Sequence, residues 1–235
     1  MFIAVGLADI GRRLTERQSV GVVIAPVSVI GCAGFAGLWH FGDVVLLLIA
    51  AAAGVGWVVL CARAERTGAH EVAPLVLFGG AAGLLIVLSG WASDVAGLIA
   101  RWPAWVGLSV GPDQLLMVVG VVMLQLVTGN LLVRLVLGSV GAIKPEGEPQ
   151  PSDKLKGGRL LGPMERLLIL GLGLAGQLAA ATAVVAAKSI VRFPEINAQK
   201  ARENGGIGID EVTEYFLVGS FASWILALGG LALAH

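Results

Sequence analysis

The stretch RLLILGLGLAGQLAAA, residues 166–181, decides the class of this protein. Its Gly171, Gly173 and Gly176 follow four aliphatic residues and have the spacing of the G-x-G-x-x-G turn that binds a dinucleotide. That turn needs a strand before it, a helix after it and an acidic residue about 20 positions further on. Here the glycines lie inside one uninterrupted apolar run, and the nearest downstream acid, Glu195, follows a run of basic residues. The stretch therefore predicts a membrane helix and not a cofactor site.

The composition of the whole chain supports the same conclusion. Hydrophobic residues make up 57% of the sequence and charged residues 14%, and the mean hydropathy is +0.87. A globular domain has about a quarter of its residues charged, so this chain is predicted to be an all-α, polytopic integral membrane protein. Its net charge is zero and it has no dense basic patch, which argues against nucleic acid as a partner.

Six apolar stretches are long enough to cross a bilayer, which takes about 20 residues of helix. The piece between the third and fourth stretches is rich in Trp and broken by Pro103, so we expect a short interfacial helix or cap there. We divide the chain into a four-helix membrane region (1–140), a polar cytoplasmic linker (141–160) and a two-helix region (161–235). The predicted spans are 21–39, 44–61, 73–91, 114–137, 167–187 and 212–232.

The distribution of Lys and Arg predicts the orientation of these spans. With a cytoplasmic N-terminus, eleven basic residues lie inside and five outside, which places the C-terminus in the cytoplasm too. The N-terminal segment is expected to stay on the protein and to lie at the membrane surface. Four of the five outer basic residues occupy the last loop, so either that loop has a reason to be basic or one predicted helix does not span.

The fifth predicted span contains a face of small residues. Such a face lets another helix approach closely in a membrane. It predicts helix packing, within the chain or between protomers, through residues at every fourth position: Gly171, Ala175, Ala179, Ala183 and Ala187.

Polar residues of the same span form a candidate binding site. Arg166 and Lys188 lie eleven residues on either side of Gln177, and a regular helix places all three on one face. Either the two cations are interfacial anchors, or they present positive charge to a phosphate or carboxylate. In the second interpretation the ligand-binding residues, for an anion or lipid headgroup, are Glu165, Arg166, Gln177, Lys188, Ser189, Arg192, Glu214 and Tyr215.

Motifs of the common enzyme classes are absent from the sequence. It has no nucleophile elbow, no H-E-x-x-H and no Walker A motif, and His40, His70 and His235 are far apart. We therefore expect no metal and no cofactor. An enzyme acting on a lipid-linked substrate would have to use Glu165 or Glu214 as its general acid or base.

The C-terminal third resembles an uncharacterised family of bacterial polytopic membrane proteins, domain of unknown function 3307. The similar pieces are GRLLGPMERLLILGLGLAGQ (158–177), AAKSIVRFPEI (186–196) and TEYFLVGSFASW (213–224). The blocks of that family are matched by Glu165 and Arg166, by Lys188, Ser189, Arg192 and Phe193, and by Glu214, Tyr215, Gly219 and Ser223. The N-terminal blocks of the family are missing. The resemblance implies a multi-pass protein of the bacterial inner membrane and supplies no activity.

Three functions remain open at this stage. The first is binding or transport of a small anionic solute or lipid headgroup at the last helical hairpin. The second is a membrane-complex subunit or scaffold that associates through the small-residue face. The third is a lipid-linked membrane enzyme. The expected partners are membrane lipids and a second copy or another membrane protein.

Overall fold

A computed structural model describes residues 1–107, 109–143, 158–188, 190 and 208–235, with side chains described from Leu160 onward in α7 and from Thr213 onward in α9. In these residues every regular element is a helix. Two compact units are formed, one by Met1–Thr128 with Ala234 and the other by Gly129–Leu233 with His235. The helices are α1 (Phe2–Thr15), α2 (Gln18–Ala36), α3 (Phe41–Thr67), α4 (Val72–Val87), α5 (Leu98–Trp105), α6 (Pro112–Ser139), α7 (Gly158–Leu174), α8 (Leu178–Lys188) and α9 (Gly208–Ala234).

Four helices of the described chain are long and apolar enough to cross a membrane. They are α2, α3, α6 and the Thr213–Ala234 part of α9, and each agrees with a predicted span. The helix α4 is apolar but shorter, with 16 residues. Each of these helices leaves large apolar side chains exposed, such as Leu48 at 65% and Ile225 at 69%. An all-helical chain with exposed apolar helices of this length fits a lipid environment.

The first unit is built around α1, which packs against α2, α3 and α6. Small residues permit this close approach: a Cβ on Gly6 would lie 3.2 Å from the Cβ of Met123, and a Cβ on Gly11 would clash with Ile24. Ala4 of α1 is buried together with Val29 and Ala50. The N-terminal segment is therefore packed against other helices of the first unit. The sequence predicted only that it would lie at the membrane surface.

The beginning of α3 is bonded to the segment that follows α4. The Asp43 carboxylate accepts hydrogen bonds from the Ser93 backbone N–H at 2.8 Å, the Ser93 hydroxyl at 2.6 Å and the His40 N–H at 3.0 Å. These bonds hold the segment that leads into α5, an eight-residue helix with Pro103 inside it. Aromatic side chains are exposed at this end of the unit, on Trp39, Phe41, Trp91, Trp102 and Trp105.

The helix α6 stays continuous through a π-helical turn at Leu124–Thr128. Single π turns inside α-helices are rare and often occur at functional sites. Here the turn buries Gln125 and Thr128 among helices of the first unit.

The predicted span 167–187 is not one helix in the structure. The helix α7 ends at Leu174, inside this span, and Gly176 has a φ of 73°. The Gly176 N–H bonds to the Gly173 carbonyl at 3.0 Å and the Gln177 N–H to the Leu172 carbonyl at 2.8 Å, which is a Schellman motif. A new helix, α8, then begins, and it folds back on α7. The prediction of a continuous helix was wrong because a left-handed glycine ends it halfway.

The hairpin packs against α9 inside the second unit. Ile169 of α7, Ala181 of α8 and Ala227 of α9 form a buried cluster, with Trp224 packed against it. A Cβ on Gly173 would clash with Leu231 of α9, so the absence of a side chain at position 173 allows this contact. Three helices thus meet in one small apolar core.

Candidate functional site

The hairpin brings together two charged residues that are far apart in sequence. The Lys188 ammonium lies 2.5 Å from a carboxylate oxygen of Glu165, although 23 positions separate the two residues. In a straight helix they would be about 35 Å apart, at about 1.5 Å per residue. The fold therefore creates the pair at the open end of the hairpin, opposite the turn at Gly176.

Trp224 of α9 completes this cluster. Its indole N–H donates a hydrogen bond of 2.8 Å to the other oxygen of Glu165, and the Lys188 ammonium lies 5.9 Å from the centre of its ring. The side chain of Glu165 is 9% exposed, whereas that of Lys188 is 22% exposed. The carboxylate is thus the inner member of the cluster and the ammonium is the outer member. Because both Glu165 oxygens have partners, this carboxylate is poorly placed to act as a free general base.

Arg166 points into the interior of the same unit. It is 1% exposed and donates hydrogen bonds to Asn130 Oδ1 at 2.8 Å and to Ser223 Oγ at 3.1 Å. Gly129 makes room for it, since a Cβ there would lie 2.9 Å from the guanidinium. Arg166 therefore ties α6, α7 and α9 together. Its position fits a structural role better than the ligand-binding role predicted for it.

The structure describes the other predicted site residues only in part. Gln177 is exposed at the turn of the hairpin, away from Lys188, because the helix reverses there. Glu214 is exposed and Tyr215 is partly buried. Ser189 and Arg192 lie outside the described residues. The single face predicted for Arg166, Gln177 and Lys188 does not exist in the structure.

The small-residue face does not lie in the packed interior of the described unit, as packing within the chain would require. In the described unit all of its members are exposed, and a Cβ on Gly171 would meet nothing within 4 Å. Packing inside the unit uses Gly173 and Ala181 instead. The exposed members are Gly171, Ala175, Ala179, Ala183 and Ala187.

A second polar cluster, centred on Asp9 of α1, was not predicted from the sequence. The Asp9 carboxylate is 0% exposed and accepts hydrogen bonds from the Trp57 indole N–H at 3.2 Å and from the Thr128 hydroxyl at 2.9 Å. The Arg12 guanidinium lies 3.7 Å from Asp9 and 2.8 Å from Glu65. The signal that could have revealed it was a carboxylate inside the first apolar piece, since a buried charge in such a segment is costly and needs partners.

The surroundings of Asp9 act on its pKa in opposite directions. Burial of the carboxyl raises the pKa of Asp9, and the hydrogen bond from Thr128, the charge of Arg12 and the hydrogen bond from Trp57 oppose that rise. Next to this cluster, Arg13 donates a hydrogen bond of 3.1 Å to the carbonyl of Val127 in the π turn. Side chains of α1 thus bond to the π turn at two points.

Comparisons with known proteins add no relative to this description. No protein-family model matches the chain, and no curated protein or solved structure is significantly similar to it. The resemblance of the C-terminal third to domain of unknown function 3307 therefore stays a prediction.

Proposed function

We propose that this chain is an integral membrane protein that binds or transports a small anionic solute or a lipid headgroup at Lys188. The supporting observation is a partly exposed ammonium at the open end of the α7–α8 hairpin, held between Glu165 and the ring of Trp224. Lys and Trp together are typical of the membrane–water interface, where lipid headgroups lie.

The geometry suggests how an anion would bind. An ammonium has three N–H donors, and Glu165 accepts from this group in the free protein. A phosphate or carboxylate oxygen would take a further donor through a charge-assisted hydrogen bond. Glu165 lies on the buried side of Lys188 and competes with that anion for its N–H donors. The carboxylate therefore sets the position of the ammonium and its affinity for the anion.

This proposal predicts opposite effects for the two members of the pair. Lys188→Gln removes the positive charge and should lower the affinity for anionic headgroups about tenfold, the loss of one charge-assisted hydrogen bond of about 1.5 kcal/mol. Glu165→Gln removes the competing carboxylate and should raise that affinity. Binding would be measured by native mass spectrometry with phosphatidylglycerol and with phosphatidylcholine, and by titration with inorganic phosphate.

Arg101→Gln is the matched control, because Arg101 is an exposed cation outside the cluster. The double variant Glu165→Gln with Lys188→Gln shows whether loss of binding comes from the missing ammonium or from an unpaired Glu165. Unchanged binding in Lys188→Gln, or a loss in Glu165→Gln equal to that in Lys188→Gln, would contradict the proposal.

A second candidate function, a subunit or scaffold that associates through helix faces, is favoured by the exposure of the small-residue face. In lipid, contact between helices relies on close packing of small residues. Gly171→Leu with Ala175→Leu should then dissociate a homo-oligomer in detergent, measured by light scattering. Gly80→Leu on α4 is the control, because a Cβ there also meets nothing within 4 Å. An oligomer that survives the double change, or the absence of one, would exclude this role for the face.

The location that goes with these functions is a bacterial cytoplasmic membrane with the N-terminus inside. It is supported by the apolar helices, by the excess of basic residues on that side and by the resemblance of the C-terminal third. The exposed aromatic residues around α5 would lie at the outer interface, with α5 as an in-plane helix.

A further inference from the structure

The two ends of the α7–α8 hairpin lie on the same side of its turn. The ion pair between Glu165 and Lys188 fixes this, because it joins positions on either side of Gly176 that a straight helix would hold about 35 Å apart. The shared core of Ile169 and Ala181 confirms that α8 runs back along α7.

The part of each arm between the ion pair and the turn is too short to cross a membrane. The part of α8 that returns from the turn to Glu165, Leu178–Lys188, spans about 16 Å, at about 1.5 Å per residue, and the hydrocarbon core is about 30 Å thick. The part of α7 between Glu165 and Leu174 has a similar length. The turn is also suited to the apolar phase, since the N–H groups of Gly176 and Gln177 are bonded to carbonyls of α7.

We propose that α7 and α8 form a re-entrant hairpin, which enters the membrane and leaves it on the side of the N-terminus, so that the charged pair at its open end faces the leaflet on that side. The chain then crosses the membrane five times, through α2, α3, α4, α6 and α9. The helix α4 with the turn Ser89–Trp91 extends as far as the start of α3, where the Trp91 carbonyl faces Gly42.

The distribution of charge supports this arrangement. A spanning segment 167–187 leaves five basic residues outside, four of which follow α8 or end it. A re-entrant hairpin moves those four to the side of the N-terminus, so that fifteen of the sixteen basic residues share one side and Arg101 alone is opposite. Basic residues near an anionic leaflet are attracted to it by about 1 kcal/mol each. A six-span topology does not explain why four basic residues lie outside at the last loop. With a re-entrant hairpin, these four residues are no longer outside.

Two consequences follow for the rest of the molecule. The C-terminus lies on the side opposite the N-terminus, because α9 crosses the membrane after the hairpin has returned. The Lys188 cluster faces the compartment or the leaflet on the N-terminal side. This topology does not depend on the proposed anion binding, and each can fail without the other.

Single cysteines in the second unit test the topology. In a background with Cys32→Ala and Cys61→Ala, one cysteine is placed at Leu160, Ile190 or His235, all of which are exposed. Sealed membrane vesicles of each orientation are treated with a membrane-impermeant maleimide, and detergent-solubilised protein gives the maximum labelling. Leu161→Cys and Ala187→Cys are second positions for the two ends of the hairpin.

A re-entrant hairpin predicts that Leu160→Cys and Ile190→Cys react in vesicles of the same orientation and that His235→Cys reacts in the opposite orientation. Reaction of Leu160→Cys and Ile190→Cys in opposite orientations would overturn the proposal and restore six spans. Reaction of all three in one orientation would overturn it too, because α9 would not cross.

Discussion

The helix α6 and the α7–α8 hairpin are apolar segments that each depart from regular α-helical geometry at one place, with opposite results. In α6 the departure is the π turn at Leu124–Thr128, and the helix continues beyond it. In the hairpin it is the turn at Gly176, and the chain reverses. Of these two interruptions, the chain reverses at the one where a residue with positive φ closes the end of the helix.

The two departures also depend on different supports. The π turn is bonded to α1 through Asp9 to Thr128 and through Arg13 to the Val127 carbonyl. The hairpin depends on glycines, with Gly176 at the turn and Gly173 at the contact with α9. Polar side chains should therefore control the stability of the π turn, and backbone geometry and packing should control that of the turn at Gly176.

Asp9→Ala should give the largest effect, a loss of about 3 kcal/mol in the free energy of unfolding. The change leaves the Trp57 indole N–H, the Thr128 hydroxyl and part of the Arg12 charge buried without the carboxylate. Thermal unfolding in detergent measures it, with the exposed Asp94→Ala as control. If both variants unfold at the same temperature, Asp9 does not support the π turn.

A pair of glycine variants tests the packing of the hairpin. Gly173→Ala should lose about 2 kcal/mol because its Cβ meets Leu231, including the branched carbon of that side chain. Gly171→Ala, two residues away in the same helix, has open space and should gain up to about 1 kcal/mol from helix propensity. The two thermal midpoints should move in opposite directions, and a common shift would mean that α7 does not pack on α9 at Gly173.

How far the sequence predicts this fold depends on the property concerned. Hydropathy found α2, α3, α6 and α9, because the length of an apolar helix can be read from composition alone. It did not find the hairpin, because the sum of hydropathies over 167–187 carries no information about the sign of φ at Gly176. Of the three glycines in that motif, only Gly176 has a positive φ.

The candidate site was predicted in part for the same reason. The sequence predicts both Glu165 and Lys188 as ligand-binding residues. It does not predict their ion pair, because a straight helix would separate them by about the thickness of a membrane. The sequence does not predict Trp224 as a site residue, because its contact with Glu165 depends on how α9 packs against the hairpin. The Asp9 cluster joins positions 48 and 119 residues apart in the chain, a pairing that local patterns do not contain.

Gly176→Ala should have a smaller effect than Gly173→Ala. An L-residue in the left-handed region costs about 1 kcal/mol, and Asn, which tolerates that region better, should cost less. The expected order of thermal midpoints is therefore Gly, Asn, Ala at position 176. An unchanged midpoint in Gly176→Ala would mean that the turn does not require a positive φ.

The smallest effect is expected from Asp9→Asn, and it lies in the pH dependence. Asn keeps the shape of the side chain, and the Thr128 hydroxyl can turn to accept a hydrogen bond from the new amide. Because the pKa of Asp9 is raised by burial, the folded protein binds this proton more tightly than the unfolded chain does. The contribution of Asp9 to stability is therefore full at low pH and decreases as the pH rises through the folded-state pKa.

Asn does not titrate, so the stability of Asp9→Asn relative to the wild type should increase as the pH rises across that window. The charged and titratable groups near position 9 are Arg12 and Arg13 on α1 and Cys61 and Glu65 on α3, and they are common to both proteins. Thermal unfolding from pH 4 to pH 8 measures the difference between the two midpoints. A difference that shrinks with rising pH would show that the charge of Arg12 and the hydrogen bonds to Asp9 outweigh its burial, so that the pKa of Asp9 is lowered in the folded protein and not raised.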